Sequence, residues 1–205
     1  MTSPGSGTFG KPESANDTDD RLLARVAEGD RAALHALYKK YYNPLLRFIY
    51  RLTGELDLAQ EGINDVMVVV WQNAGKFGGR SKVSTWIMGI AYRKGLKLAE
   101  KSRRWYQRLS FVDFEDWNEP AEPDTEPTFD ADVHKLLERG IGRLPPKQRA
   151  VVELTYRYGY SYEEIAEVVE CPVNTVKTRM FHARAKLKSF LDSVNSHEPN
   201  HDEHH

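Results

Sequence analysis

The sequence predicts an all-α protein: two small helical domains joined by a flexible acidic linker. Three observations carry that expectation. Apolar residues recur at helical spacing, as in Ile63, Val66, Met67, Val70, Trp71 and Ala74, and no alternating run of strand length occurs. Between Leu109 and Val133 the four-residue spacing lapses and Pro120, Pro123 and Pro127 intrude. That same gap holds nine acids and no basic residue, a composition that repels itself and stays extended. The boundaries then read as a disordered tail over 1–18, a first domain over 19–108, the linker over 109–132, a second domain over 133–192 and a disordered His-rich tail over 193–205.

Within the first domain, Leu22, Leu23 and Val26 mark a helix that stops at Gly29-Asp30. A second helix carries Leu34, Leu37, Tyr38, Tyr41, Leu45, Phe48 and Ile49, and Pro44 should kink or split it. The third holds the Ile63–Ala74 seam and ends at Gly75, Gly78 and Gly79; the fourth buries Val83, Trp86, Ile87, Ile90 and Ala91. In the second domain, short helices are expected near 133–142, 147–157 and 161–169, and a longer one near 173–191. Ser161-Tyr162-Glu163-Glu164 has the capping-box pattern at the start of the third of these, and Pro172 suits the first turn of the fourth.

Composition removes whole classes of function. The longest apolar run, Val66–Trp71, is six residues, too short to cross a bilayer, so no membrane insertion is expected. Cys171 is the single cysteine, which excludes an intramolecular disulfide and suits a reducing, cytoplasmic setting. The net charge of -1 conceals a basic–acidic–basic chain. Arg93–Arg108 has seven basic residues against Glu100, and Val173–Lys188 has five basic residues and no acid. No metalloprotease, phosphate-loop or nucleophile-elbow pattern occurs, and four of the seven histidines sit in the C-terminal tail. The expectation is no catalysis, no cofactor and no resident metal.

Three faces remain as candidates for function. On the helix near 173–191, Val176, Met180, Ala183 and Leu187 share one seam; Asn174, Lys177, Thr178 and Phe181 lie opposite, with His182 at the margin and Arg179, Arg184, Lys186 and Lys188 flanking. Asn, Lys and an apolar group can read base edges in a major groove while flanking cations hold phosphates. A helix of this kind after a capped helix and turn suits a helix-turn-helix reader. A solvated cationic helix with Phe181 packed on a neighbour would show the same residues. The third helix turns Glu61, Asn64, Asp65, Val68 and Gln72 away from its seam, which suits a basic protein groove or an ordinary solvated face. The stretch from Lys82 to Arg104 can follow a phosphate backbone, with Trp86, Tyr92 and Trp105 as candidate stacking platforms, although the spacing of Trp86 favours the core. An autonomous helix-turn-helix regulator would account for 144–190 but leave 55–105 without a purpose, and a protein-only adaptor would contact no DNA.

The motifs resemble a known family. Asp57-Leu58-Ala59-Gln60-Glu61, Asp65-Val66 through Trp71, Phe77-Gly78-Gly79 and Ser84-Thr85-Trp86-Ile87 through Ile90-Ala91 are similar to region 2 of extracytoplasmic-function (ECF) sigma factors of the sigma-70 family. Leu144-Pro145-Pro146-Lys147-Gln148-Arg149, Tyr160 through Ala166 and Cys171 through Arg179 are similar to region 4, in the family's order. The resemblance implies a sigma factor that directs core RNA polymerase to specific promoters and aids melting of the -10 element. It implies that Glu61, Asn64, Asp65, Val68 and Gln72 meet the clamp helices of the polymerase. It assigns Lys82, Arg93, Lys94, Lys97, Lys101, Arg103 and Arg104 to -10 DNA. It assigns Asn174, Thr175, Lys177, Thr178, Arg179, Phe181, His182, Arg184 and Lys186 to the -35 element, with region 4 also touching the polymerase flap. Promoter DNA, both double-stranded and melted, is the implied partner besides polymerase, and the family leaves room for an anti-sigma factor. Gln60, Gly78, Arg80, Arg93 and His182 depart from the family's commoner residues, so the promoter sequence is not implied.

Overall fold

Asp30 shows how local chemistry builds the first domain. Its carboxylate accepts from the backbone N–H groups of Ala32 and Ala33, at 2.8 and 3.1 Å, and so caps the helix that follows the Gly29 turn. The computed structural model describes residues 15–109 and 130–195, with side chains placed over 18–102 and 133–194. In chain order the helices are α1 (Ala15–Ala27), α2 (Arg31–Thr53), α3 (Leu56–Asn73), α4 (Val83–Leu109), α5 (Asp130–Gly142), α6 (Pro146–Tyr156), α7 (Tyr162–Val169) and α8 (Val173–Asn195), with one 3-10 turn at Ala74–Lys76. No strand occurs among the described residues. The all-α expectation holds.

Differences from the sequence reading are local. Helix α1 begins inside the expected tail, α5 begins before the expected linker end, and α8 continues past the expected last residue. The remainder of the expected tails and linker lies outside the described residues. Helix α2 neither splits nor stops at Pro44. Proline removes one backbone N–H from the ladder, but Tyr41, Leu45 and Phe48 are buried around it, and their packing keeps the helix whole. Pro172 precedes the last helix instead of lying in its first turn, and its carbonyl accepts from Thr175 and Val176 at 2.8 and 3.3 Å.

Helices α1–α4 form the first domain around Leu37, Leu45, Phe48, Ile63, Val66 and Ile87, all fully buried. Gly62 lets α3 approach α2 and α4 closely: a Cβ there would meet Ile49 and Leu98 side chains at 3.0–3.1 Å. Helices α5–α8 form the second domain around Leu154, Ile165, Val176 and Met180. The capping box at α7 is complete. Glu164 N–H donates to Ser161 Oγ at 3.2 Å, and Ser161 N–H donates to the Glu164 carboxylate at 3.0 Å.

The two domains pack against each other, α7 on α4 and α6 on α2 and α4, and their buried apolar residues form one continuous cluster. At the α2–α6 end, Tyr158 Oη donates to the Pro44 carbonyl at 2.8 Å and its ring meets Phe48 edge-on, centroids 5.9 Å apart. Arg149 Nη1 donates to the Arg51 carbonyl at 2.6 Å. At the α4–α7 end, Gly89 faces the Val168 carbonyl, which a Cβ would approach to 3.4 Å.

Candidate nucleic-acid and protein-docking surfaces

Helix α8 divides along its length as the heptad spacing requires. Val176 and Ala183 are fully buried and Met180 nearly so, with Leu187 packed at their edge. Asn174, Lys177, Thr178, Phe181 and His182 are exposed on the other side, and Phe181 is 70% exposed, which is the decisive number for that helix. A large aromatic standing in solvent forgoes the hydrophobic stabilisation that burial would supply, so Phe181 is not a core position and its ring is open to contact. The reading of Phe181 as packed on a neighbouring helix is therefore wrong; its ring meets the His182 imidazole edge-on, at 5.6 Å between centroids. Thr178 Oγ1 donates back to the Asn174 carbonyl at 2.9 Å. Arg184 and Lys186 are exposed, and Arg184 donates to Tyr156 Oη at 2.7 Å.

Two of the nine expected base-reading and phosphate residues sit differently. Thr175 is half-buried at the start of the helix. Arg179 is half-buried too, and its guanidinium turns to Tyr92 on α4. Burial pushes the Tyr92 hydroxyl above its ordinary pKa, and the Arg179 charge opposes that rise. In this arrangement Arg179 belongs to the contact between domains and not to the reading face. Helical phase placed it on a flank; which flank faces α4 was not legible without the fold.

On α3 the seam Ile63, Val66, Met67 and Val70 is buried and Trp71 half-buried. Glu61, Asn64, Val68 and Gln72 are exposed together along one face, Val68 at 52%. Asp65 is half-buried at its border, where Lys94 Nζ reaches its carboxylate at 2.9 Å. One residue of the acidic face is thus tied to one cation of α4.

Along α4, Lys82, Arg93, Lys97 and Lys101 are exposed and Lys94 half-buried. Arg103, Arg104 and Trp105 belong to the helix, but their side chains lie outside the described residues. The stacking role expected for Tyr92 does not survive: it is 5% exposed, with no open ring face for a base. Trp86 is half-buried against Phe77, centroids 5.2 Å apart, as its spacing suggested.

Sequence reading missed what lies opposite these cations. Lys82 Nζ pairs with Glu164 at 2.8 Å, and Arg93 pairs with Glu170. Glu164 was visible only as a capping residue; nothing in the sequence announced a partner 82 positions away. The Glu164 bond holds the Lys82 ammonium above its ordinary pKa, and Lys82, then the Ser161 N–H, holds the Glu164 carboxyl below the usual range. Also missed was an ionic cluster at the other end of the contact. Arg51 of α2 pairs with Glu138 of α5 and lies 3.9 Å from Glu153 of α6; Arg157 Nε lies 3.0 Å from Glu153, and Arg157 Nη2 is 2.5 Å from Glu138. Glu153 is 2% exposed; desolvation pushes its pKa up against the pull of Arg51, Arg157 and Arg149. No group of three or more metal-ligating side chains occurs among the described residues.

Comparison with known proteins decides what these surfaces belong to. The sigma-70 region 2 family matches residues 37–105 and the sigma-70 region 4 family matches residues 134–187. The chain belongs to the sigma-70 family. Relatives place it among the ECF-type RNA polymerase sigma factors. The chain is 28% identical to the RNA polymerase sigma-H factor of Pseudomonas aeruginosa over 87% of its own length and 96% of that protein. It is 29% identical to the ECF sigma factor RpoE of Cereibacter sphaeroides, over 87% of this chain and 98% of that protein. Among solved structures, CnrH in complex with the cytosolic domain of CnrY shares the fold, with a TM-score of 0.62 over 86% of this chain and 99% of that one at 24% identity. The sigma factor RpoE of Bartonella quintana, solved with the anti-sigma factor NepR, shares it with a TM-score of 0.60 over 77% of this chain and 96% of that one at 23% identity. In this ECF sigma factor, region 2 takes in most of α2–α4 and region 4 takes in α5–α8. No described helix is long and apolar enough to cross a membrane.

Proposed function

We propose that this sigma factor recruits core RNA polymerase through the exposed face of α3, reads a -35 element with α8, and holds the melted -10 element along α4. The observation that carries the reading is the outward face of α8. Lys177, Thr178 and Phe181 stand in solvent opposite the buried Val176, Met180 and Ala183, an arrangement that suits hydrogen-bonding and apolar contacts to base edges. On α3, Glu61, Asn64, Val68 and Gln72 combine an acid, amides and an exposed apolar centre, which suits the basic clamp helices of polymerase. Lys94, Lys97 and Lys101 lie within one cationic stretch suited to a phosphate backbone. The factor itself performs no bond chemistry and acts in the cytoplasm, where polymerase is. The solved relatives carry anti-sigma partners, and an anti-sigma factor is the proposed regulator here as well.

The test is reconstitution. Purified full-length chain is mixed with core RNA polymerase, and transcripts are read from a library of genomic fragments. A stoichiometric complex and a recurrent pair of upstream elements support the reading. Binding to DNA without any complex with core polymerase would show an autonomous regulator instead.

A further inference from the structure

Two of the cations assigned to -10 DNA, Lys82 and Arg93, are occupied, and the groups that occupy them come from region 4. Lys82, at the entry to α4, meets the Glu164 carboxylate at 2.8 Å; about three turns further along, Arg93 meets Glu170. A carboxylate at a lysine or arginine stands where a phosphate oxygen would stand, so both cations are already satisfied by the anion they would otherwise find on DNA. Between these pairs α7 lies directly on α4, with Gly89 beneath the Val168 carbonyl, where a Cβ would already be in van der Waals contact and a longer side chain would have to displace α7. The cleft left at the α4 entry, about 490 Å³, is lined by Gly79–Lys82, Thr85, Glu164 and Glu167, and so has region 4 acids for one wall.

Backbone geometry gives a second, independent observation. Glu170 ends α7 at φ 51, ψ 52, and it is the one non-glycine residue with positive φ among the described residues. The left-handed region at a helix end favours glycine or asparagine, and a longer side chain there is strained. A glycine would turn the chain at that point more easily, but it would have no carboxylate to reach Arg93. A residue kept in an unfavourable conformation while its side chain makes a contact between domains points to a use for that contact.

We infer that region 4 masks region 2 in the free sigma factor: Glu164 and Glu170 act as phosphate surrogates, and α7 must leave α4 before -10 DNA can bind. The inference rests on the reading of α4 as the -10 surface. Both ion pairs are substantially exposed, with side-chain exposures of 60% and 27% for Lys82 and Glu164 and of 46% and 65% for Arg93 and Glu170. Such pairs are individually weak and screened by salt. A mask must be releasable, and exposed pairs at its edge give that property. Core polymerase or a neighbouring phosphate backbone would then compete for the same cations.

The experiment uses the full chain and two readouts. Spin labels at Arg31→Cys and Ser189→Cys, in a Cys171→Ser background, report the separation of the domains by electron–electron double resonance. A fluorescein-labelled twenty-residue thymidine strand reports access to the α4 cations by anisotropy. Two variants release the mask by different routes. Gly89→Gln inserts a neutral wedge beneath Val168 without changing charge. Glu164→Gln with Glu170→Gln removes the surrogates while glutamine keeps the capping box at α7. Glu28→Gln with Glu163→Gln is the charge-matched control.

The expected result is a short, narrow distance in the parent, longer and broader distances in both variants, and strand binding about fivefold tighter than in the control, the size expected for two lost exposed pairs. A parent already broad and long overturns the inference, because no mask exists to release. Variants that open with no gain over the control also overturn it, because the α4 cations were then not what the acids covered. Variants that remain closed and gain nothing overturn it as well. Failure of the underlying reading shows elsewhere, as absence of transcription by the parent chain with core polymerase.

Discussion

The two ends of the contact between region 2 and region 4 use the same chemistry and differ in burial. At one end Arg51, Glu138, Glu153 and Arg157 form a cluster in which Arg51 is 11% and Glu153 2% exposed. At the other, Lys82–Glu164 and Arg93–Glu170 stand largely in solvent. Removing a partner from a desolvated cluster leaves a charge that water cannot reach, whereas an exposed ion that loses its partner is simply hydrated. If region 4 lifts from region 2 as inferred above, the buried end serves as the pivot and the exposed end as the catch. Tyr158 reinforces the pivot: its hydroxyl is spent on the Pro44 carbonyl, and burial holds its pKa far above the ordinary value.

The largest expected effect comes from breaking the pivot. Arg51→Met removes the guanidinium shared by Glu138 and Glu153 and leaves Glu153 with Arg157 alone at close range. Loss of one partner from a buried pair costs about 3 kcal/mol, to be read as a fall in the urea midpoint at unchanged slope. A variant as stable as the parent would show that the cluster is solvated and that burial does not distinguish the two ends.

Next is the division of labour on α8. Phe181→Ala should weaken binding of the full chain to its selected -35 duplex by about 2 kcal/mol and to a scrambled duplex much less. Arg184→Ala should weaken both alike and lower the salt slope by about one counterion. Anisotropy titrations at several salt concentrations separate the two. Equal ratios for both variants would make α8 a nonspecific cationic surface. A smaller effect is expected on α3. Glu61→Lys should reduce affinity for core polymerase about tenfold, or roughly 1.4 kcal/mol, with stability within about 0.5 kcal/mol of the parent. Glu61 is the cleaner choice than Asp65, whose replacement would also release Lys94.

These cases show what was legible in advance. Helical period placed the seams of α3 and α8 correctly because period and burial are the same statement for an amphipathic helix. The Ser161–Glu164 cap was legible because its partners are three residues apart. Tyr92 was misread because a helix in a two-domain contact has two buried sides, and the second depends on what packs there. Arg179 was assigned by helix phase and Glu164 by capping, Glu170 carried no assignment, and the cross-domain partners of all three are fixed only by the docking of α7 on α4. Pro44 failed as a helix breaker because propensity is a local cost and the burial of Tyr41, Leu45 and Phe48 is a larger tertiary gain.

The smallest effect is the response of the catch to pH, and its sign follows from the two shifts. Glu164 lies below its ordinary 4.5 in the folded chain, so its contribution is present above that value and is lost as pH falls through the lowered one. Lys82 lies above its ordinary 10.5, so its contribution is present below that value and is lost as pH rises through the raised one. Arg80, Asp20 and Glu167 share the cleft, and Glu167 adds to the negative field at Lys82. None of these groups has an ordinary pKa near neutrality, so the pair should remain charged from about pH 5 to about pH 10. Salt, not pH, is then its lever. The thermal midpoint of Glu164→Gln should lie within about 2 °C of the parent at pH 7 in low salt and converge with it in molar salt, while the difference produced by Arg51→Met persists in molar salt. A Glu164→Gln difference that survives molar salt would place Lys82–Glu164 with the buried pivot and remove the distinction between the two ends.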